Sequence, residues 1–136
     1  MKDPKGSVVH LKDATHRQTA QWMADGKPHS VRTPQEVANA PAGAGKNFAA
    51  VYDFDGNSIR YVNLKKGGIF NVVPGVPKVD NLLYIASGHM RFTQGDDITD
   101  VYEGDFIREV TGVPHSWEMV EEGVFISTTA PDKPRP

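Results

Sequence analysis

Residues 101–119 read "VYEGDFIREVTGVPHSWEM", and this stretch decides the fold. "EGD" and "TGVP" are turn chemistry. Gly supplies positive φ, Pro presets φ, and Asp bonds its own backbone. Between and after these turns lie short runs rich in Val, Ile, Phe and Trp. In "HSWEMV", His115, Trp117 and Met119 fall on one face, with Ser116 and Glu118 on the other. That period of two marks a half-buried strand.

Working outward, similar runs recur from Phe48 onward, including "FAAVYDF", "SIRYVNL", "IFNVV", "LLYIA", "MRFTQ", "ITDVY" and "VFISTT". "DGN", "KKGG", "SGH", "QGDD" and "EEG" separate them as turns. About nine strands at this spacing predict a sandwich or a barrel. No longer internal repeat is visible. Before the strands comes a polar arm. Its "ATHRQTAQWMADGK" is read as a short helix anchored by Trp22 and Met23. A second short helix follows, with Thr33 as N-cap, Pro34 at the first helical position and Glu36 closing a capping box. The expected organisation is an arm with short helices over 1–45, one barrel over 46–130, and a frayed tail over 131–136.

Composition narrows the function. The chain has 136 residues, enough for one core. Its formal net charge is −2, with mixed signs along the chain. Nucleic acid as a partner would call for a basic stripe. With no cysteine there is no disulfide, thiolate metal site or thiol nucleophile. No apolar run reaches the roughly 20 residues of a membrane span, and no secretory leader is visible. A cytoplasmic protein acting on a small molecule is the expectation. "APAGAG", residues 40–45, lacks the Lys-Ser/Thr ending of a phosphate loop and reads as a linker.

Three segments in order resemble the cupins, the small jelly-roll barrels. "IRYVNLKKGG" is similar to the strand and turn entering that family's first motif. "LLYIASGHMRFTQGD" is similar to its strand–Gly–strand segment. The opening stretch is similar to its second motif, a Gly-Asp turn, a strand, then Gly-x-x-His. The resemblance implies an all-β, double-stranded β-helix. Metal-holding cupins carry His-x-His and a third ligand in the first motif, plus the second-motif His. Here "NVVPGVPKVDN", residues 71–81, has no histidine. Asn81 falls near the third-ligand slot, and only His115 remains. One imidazole and one amide make a poor divalent-cation site, where three or four good ligands are usual. The expectation is no metal and no cofactor. A divalent metal held by His115 and Asp80 is the minority alternative.

The candidate catalytic residue is therefore His115, pointing inward beside Trp117. Apolar surroundings disfavour the imidazolium and leave a neutral imidazole able to take a proton. Inert burial is the competing reading. Arg60 shares a face with Val62 and Leu64. A guanidinium there needs an anion, either a structural carboxylate or a substrate, unless it sits at the rim. Asn81 is a candidate hydrogen-bonding partner for a ligand. Met90, Phe92, Trp117 and Met119 are the expected apolar wall. His89 and Arg91 fall on the outer face. The expected chemistry is metal-independent proton transfer beside a carbonyl, of isomerase, cyclase, dehydratase or lyase type. The substrate would be small, carrying a carbonyl or carboxylate. A non-catalytic ligand-binding barrel and a metal-dependent dioxygenase or lyase stay open as alternatives. The resemblance also implies a homodimer, with the arm as a candidate for exchange.

Overall fold

The structure, a computed structural model, describes residues 8–54 and 56–129, without the side chains of 54 and 71–73. The frayed ends expected before residue 8 and over 131–136 lie outside the described residues. The chain is all-β: β1 Thr15–Ala24, β2 Lys27–Val31, β3 Gly45–Phe54, β4 Asn57–Leu64, β5 Ile69–Gly75, β6 Asn81–Gln94, β7 Asp97–Tyr102, β8 Phe106–Glu109 and β9 His115–Thr129. A short 3-10 turn covers Leu11–Asp13, and a short α-helix, α1 (Pro34–Ala38), packs on β1. The Thr33 hydroxyl caps it by accepting from the Glu36 amide at 3.2 Å.

Every strand pairing is antiparallel, in the order β2-β1-β3-β4-β9-β6-β7, with β5 on β9 and β8 on β6. Two strands do double duty. The second half of β9 pairs with β4 and its first half with β5. The first half of β6 pairs with β8 and its second half with β7. The two also pair with each other along their length. The sheet thus folds over itself into a jelly roll. Val62, Leu64, Leu83, Ile85, Ile107 and Phe125 on one side meet Phe70, Met90, Phe92, Val101 and Met119 on the other.

The fold-over happens at a glycine pair. Gly88 lies at φ +91°, and a Cβ there would come within 2.7 Å of the Gly123 Cα. A Cβ on Gly123 would lie 2.2 Å from the Ser87 carbonyl oxygen. Two backbones approach where no side chain fits, and the β6–β9 register shifts around the contact. The expected turns at "SGH" and "EEG" are therefore corrected. They are bends inside β6 and β9, and Glu121 and Glu122 belong to a strand.

The arm is corrected too. "THRQTAQWMA" is strand β1, paired on one side with β2 and on the other with β3. "ADGK" is a two-residue hairpin, with Asp25 at φ 53° and Gly26 at φ 71°. Positive φ at both central residues is the mirror-image turn that Asp-Gly favours. Trp22 anchors a hairpin instead of a helix, stacking on His29 with centroids 5.4 Å apart.

Candidate functional site

The sheet encloses an open cavity of about 740 Å3, within the usual range for small-molecule sites of about 300–1,000 Å3. Its apolar lining includes Ala49, Val51, Val62, Phe70 and Phe125. One end is polar, and His115, Glu109, Asn81 and Trp117 converge there.

Glu109 is the centre of that cluster. Its side chain is 4% exposed, and the His115 Nε2 lies 2.5 Å from its Oε2. The Trp117 Nε1 donates to the same oxygen at 3.1 Å. The Asn81 Nδ2 donates to Oε1 at 3.3 Å. An indole N–H can only donate, so Glu109 is held as an acceptor. The same logic fixes the Asn81 amide, whose nitrogen must face the carboxylate and whose Oδ1 is then left over. That oxygen is buried and has no hydrogen-bond partner among the described residues.

The sequence dictates this convergence through strand alternation. On β8, Ile107 and Glu109 share the inward face, and both are buried. On β9, His115 and Met119 are buried, with Trp117 between them on the same face. Asn81 pairs directly with Glu109 across β6 and β8. Gln94 fastens the backbone on either side of Glu109. Its Nε2 donates to the Arg108 carbonyl at 3.2 Å, and its Oε1 accepts from the Val110 amide at 2.7 Å. Gln94 also pairs with His115 in register. The carboxylate is thus positioned from its own main chain as well as by its donors.

The expected residues distribute unevenly. His115, Trp117, Asn81 and Arg60 line the cavity. Arg60 does share the face of the buried Val62 and Leu64, but it is exposed and stands at the mouth. Met90, Phe92 and Met119 point inward yet do not reach the cavity. They lie in the packed core at 1%, 6% and 2% exposure, which corrects their place in the wall. The apolar setting expected for His115 is corrected as well, since a carboxylate lies against the ring. Glu109 was missed, although its alternation with Ile107 marks its face.

The minority metal pair fails on geometry. Asp80 is bound by Arg108, with Nε and Nη2 at 2.7 and 2.6 Å, and by the Thr111 amide and hydroxyl at 2.8 and 2.7 Å. Those Thr111 hydrogen bonds, then Arg108, hold its carboxyl at about 2, below the ordinary 3.8. Asp80 does not line the cavity. In the cavity itself, the imidazole and the carboxylate are bonded to each other. A cation bound there would have to replace that bond, and the further side chain in contact with the pair that could ligate it is the amide of Asn81. Among the described residues no group of three His, Cys, Asp or Glu side chains is arranged around an ion site. The residues present do not fit the metal that cupins of the metal-holding kind carry.

This combination, a jelly roll folded at paired glycines over an open cavity, defines a cupin-type barrel. The chain has the fold of the RmlC-like cupins. It is similar to an RmlC-like cupin from Shewanella frigidimarina (16% identity, 62% of this chain and 76% of that one, TM-score 0.57). It is similar also to a cupin-like protein from Thermotoga maritima (15% identity, 66% and 74%, TM-score 0.58). A third similar structure is KdgF from Halomonas sp. (13% identity, 62% and 76%, TM-score 0.53). No family model and no curated protein matches the chain. Among the described residues no helix is long and apolar enough to cross a membrane.

Proposed function

We propose that this protein is a small-molecule enzyme whose His115–Glu109 pair moves a proton next to a substrate carbonyl. The carrying observation is the pair itself, buried, 2.5 Å apart and in the wall of a cavity whose lining mixes polar and apolar side chains. Glu109 orients the imidazole through Nε2 and stabilises the positive charge of the ring when it is protonated. The proton leaves the carbon beside the carbonyl for this pair, and the electrons move onto the carbonyl oxygen as an enolate. Return of the proton to a different carbon is an isomerisation. Loss of a leaving group from the enolate is a lyase or dehydratase step. Asn81 holds the carboxylate in place through its Nδ2, and Arg60 orients the polar groups nearer the mouth. The chemistry proceeds without a metal, because the imidazole and the carboxylate are committed to each other. Elemental analysis finding stoichiometric transition metal, lost on His115→Ala, would overturn that.

The test is carbon-bound hydrogen exchange. A panel of small keto acids and hydroxy ketones is incubated with the protein in D2O, and loss of the proton signal beside the carbonyl is followed by NMR. The expected result is catalysed exchange with at least one compound, abolished by His115→Ala. No exchange across the panel, or exchange intact in His115→Ala, sinks the proposal. A compound that binds with equal affinity to both proteins and never exchanges supports the ligand-binding alternative instead.

The homodimer proposal has its own support. Tyr61, Ile126, Tyr84 and Phe106 are consecutive cross-strand partners on the outer face of β4, β9, β6 and β8, and Phe106 is 82% exposed. An apolar row of this kind suits a second copy. Light scattering that shows a monomer at micromolar concentration counts against it.

A further inference from the structure

The cavity has a second charged region, opposite in sign to the first. Arg17 of β1, Arg32 just after β2 and Arg60 of β4 all line it. Among the described residues Glu109 is the only acidic side chain in the lining, and it is already held by three donors. Arg17 shares a loose contact with Asp53 at 3.5 Å. No carboxylate lies within ion-pair distance of Arg32 or Arg60 among the described residues. The other described arginines, Arg91 and Arg108, both sit beside acids. So the described arginines lacking a described carboxylate partner, Arg32 and Arg60, are at this opening.

Their placement relative to the proton-transfer pair is also defined. Arg60 pairs across to Ser127, Ser127 to Leu83, and Leu83 to Ile107. Glu109 is two residues further along the same face of β8. Three strand spacings are about 14 Å of sheet. Between the two regions the lining is mixed: Ser127 lies beside Arg60, and Val62 of β4 and Phe125 of β9 supply apolar surface. A ligand that used both regions would carry an anionic group, an apolar body and a reactive polar end.

We infer that Arg17, Arg32 and Arg60 form an anion-binding rim, and that the ligand is a small organic acid with an apolar body. The β1–β2 hairpin is then part of the binding site and supplies two of the three cations. Guanidinium groups suit this work because they stay charged and match the two oxygens of a carboxylate. The inference rests on the proposed acid–base reading only for which end reacts. The rim itself is testable by binding alone.

Two fluorescent dyes of nearly the same shape separate charge from apolar contact. They are 8-anilino-1-naphthalenesulfonate and its neutral counterpart N-phenyl-1-naphthylamine. The sulfonate stands in for the ligand's carboxylate. Each charge-assisted contact is worth about tenfold in affinity, so the sulfonate dye should bind at least about tenfold tighter. Arg32→Gln/Arg60→Gln should remove most of that preference while leaving the neutral dye unchanged. Arg91→Gln, outside the cavity, should leave both dyes as in the unsubstituted protein. Raising salt should shrink the preference, because the rim is exposed. Equal binding of the two dyes, binding of neither, or a preference unchanged in the double variant overturns the rim. Loss of the rim's dye preference in Arg32→Gln/Arg60→Gln combined with hydrogen exchange that is absent in every protein leaves the rim standing and sinks the acid–base reading. Hydrogen exchange catalysed by His115, without any charge preference, does the reverse.

Discussion

His115 and His89 each face a carboxylate on another strand, and each lies near an aromatic ring. His89 is 3.0 Å from Asp100 on the outer face, with side chains 19% and 46% exposed. Its ring stacks on Tyr102 at 4.4 Å. His115 is 2.5 Å from Glu109, with side chains 9% and 4% exposed. Its ring lies 6.1 Å from Trp117. The same chemical groups therefore occupy two solvents. Water screens the outer pair and competes for its hydrogen bonds. The inner carboxylate has exchanged its water for His115, Trp117 and Asn81, so each of those partners carries more weight. An exposed pair of this kind contributes about 0–1 kcal/mol. Breaking a buried one by removing a partner costs about 3–5 kcal/mol.

The difference can be broken or sharpened by paired substitutions. The largest expected effect is on turnover. Glu109→Gln keeps the shape but loses the charge behind His115, and carbon-bound exchange should fall by about 10²–10⁴-fold. His89→Ala should leave the rate alone. A loss in both would mean that the two pairs do not differ in kind. Stability comes next. Glu109→Ala strands three donors and should cost about 3–5 kcal/mol in urea unfolding, against about 0–1 kcal/mol for Asp100→Ala. Equal midpoints would contradict the burial argument. Smaller again is Trp117→Phe, which keeps a ring against Phe125 but deletes one donor to Glu109. About 1–3 kcal/mol is expected, while Tyr102→Leu outside should change stability by no more than about 0.5 kcal/mol.

The smallest effect belongs to a second surface carboxylate. Asp80 sits at about 2, chiefly through its Thr111 hydrogen bonds and then through Arg108, against an ordinary 3.8. Its folded value is the lower one, so its contribution is complete above the unfolded value and fades as pH falls through 3.8 toward 2. The stability gap between the unsubstituted protein and Asp80→Asn should therefore narrow over that window in acid titrations. A gap constant with pH would show that its ionised form has no special partners. The group is a third exposed, so the gap itself should be modest.

Faces were legible in the sequence, and depth was not. Alternation placed His115, Trp117 and Met119 on one side of β9, and Met90 and Phe92 on one side of β6. It could not say how far along each strand the cavity extends. Met90 and Met119 pair beyond the open end, and the opposite sheet closes over them. Glu109 was obscured because an inward carboxylate looks like surface until its partners are known. Those partners come from β6 and β9, and strand pairing is the information a single run of residues lacks. The arm failed for a related reason. Arg17, Thr19 and Gln21 of β1 line an open cavity, so the strand shows no apolar alternation. The Asp-Gly turn at residues 25 and 26 was the available signal for a hairpin.

The double membership of β6 and β9 bears on how the molecule comes apart. Neither sheet owns a complete set of strands, so no plane separates them without splitting the same two strands. Opening either half must loosen the other, and the barrel should lose its amide protection in one cooperative event. Strand β2 hangs from β1 alone at the end of the strand order. Like β7 at the other end of the order, it is held by a single neighbour and can breathe by itself, and with it goes the backbone beside Arg32. Native-state hydrogen exchange would then find the proton-transfer pair in the slowest class and the β2 side of the rim in a faster one.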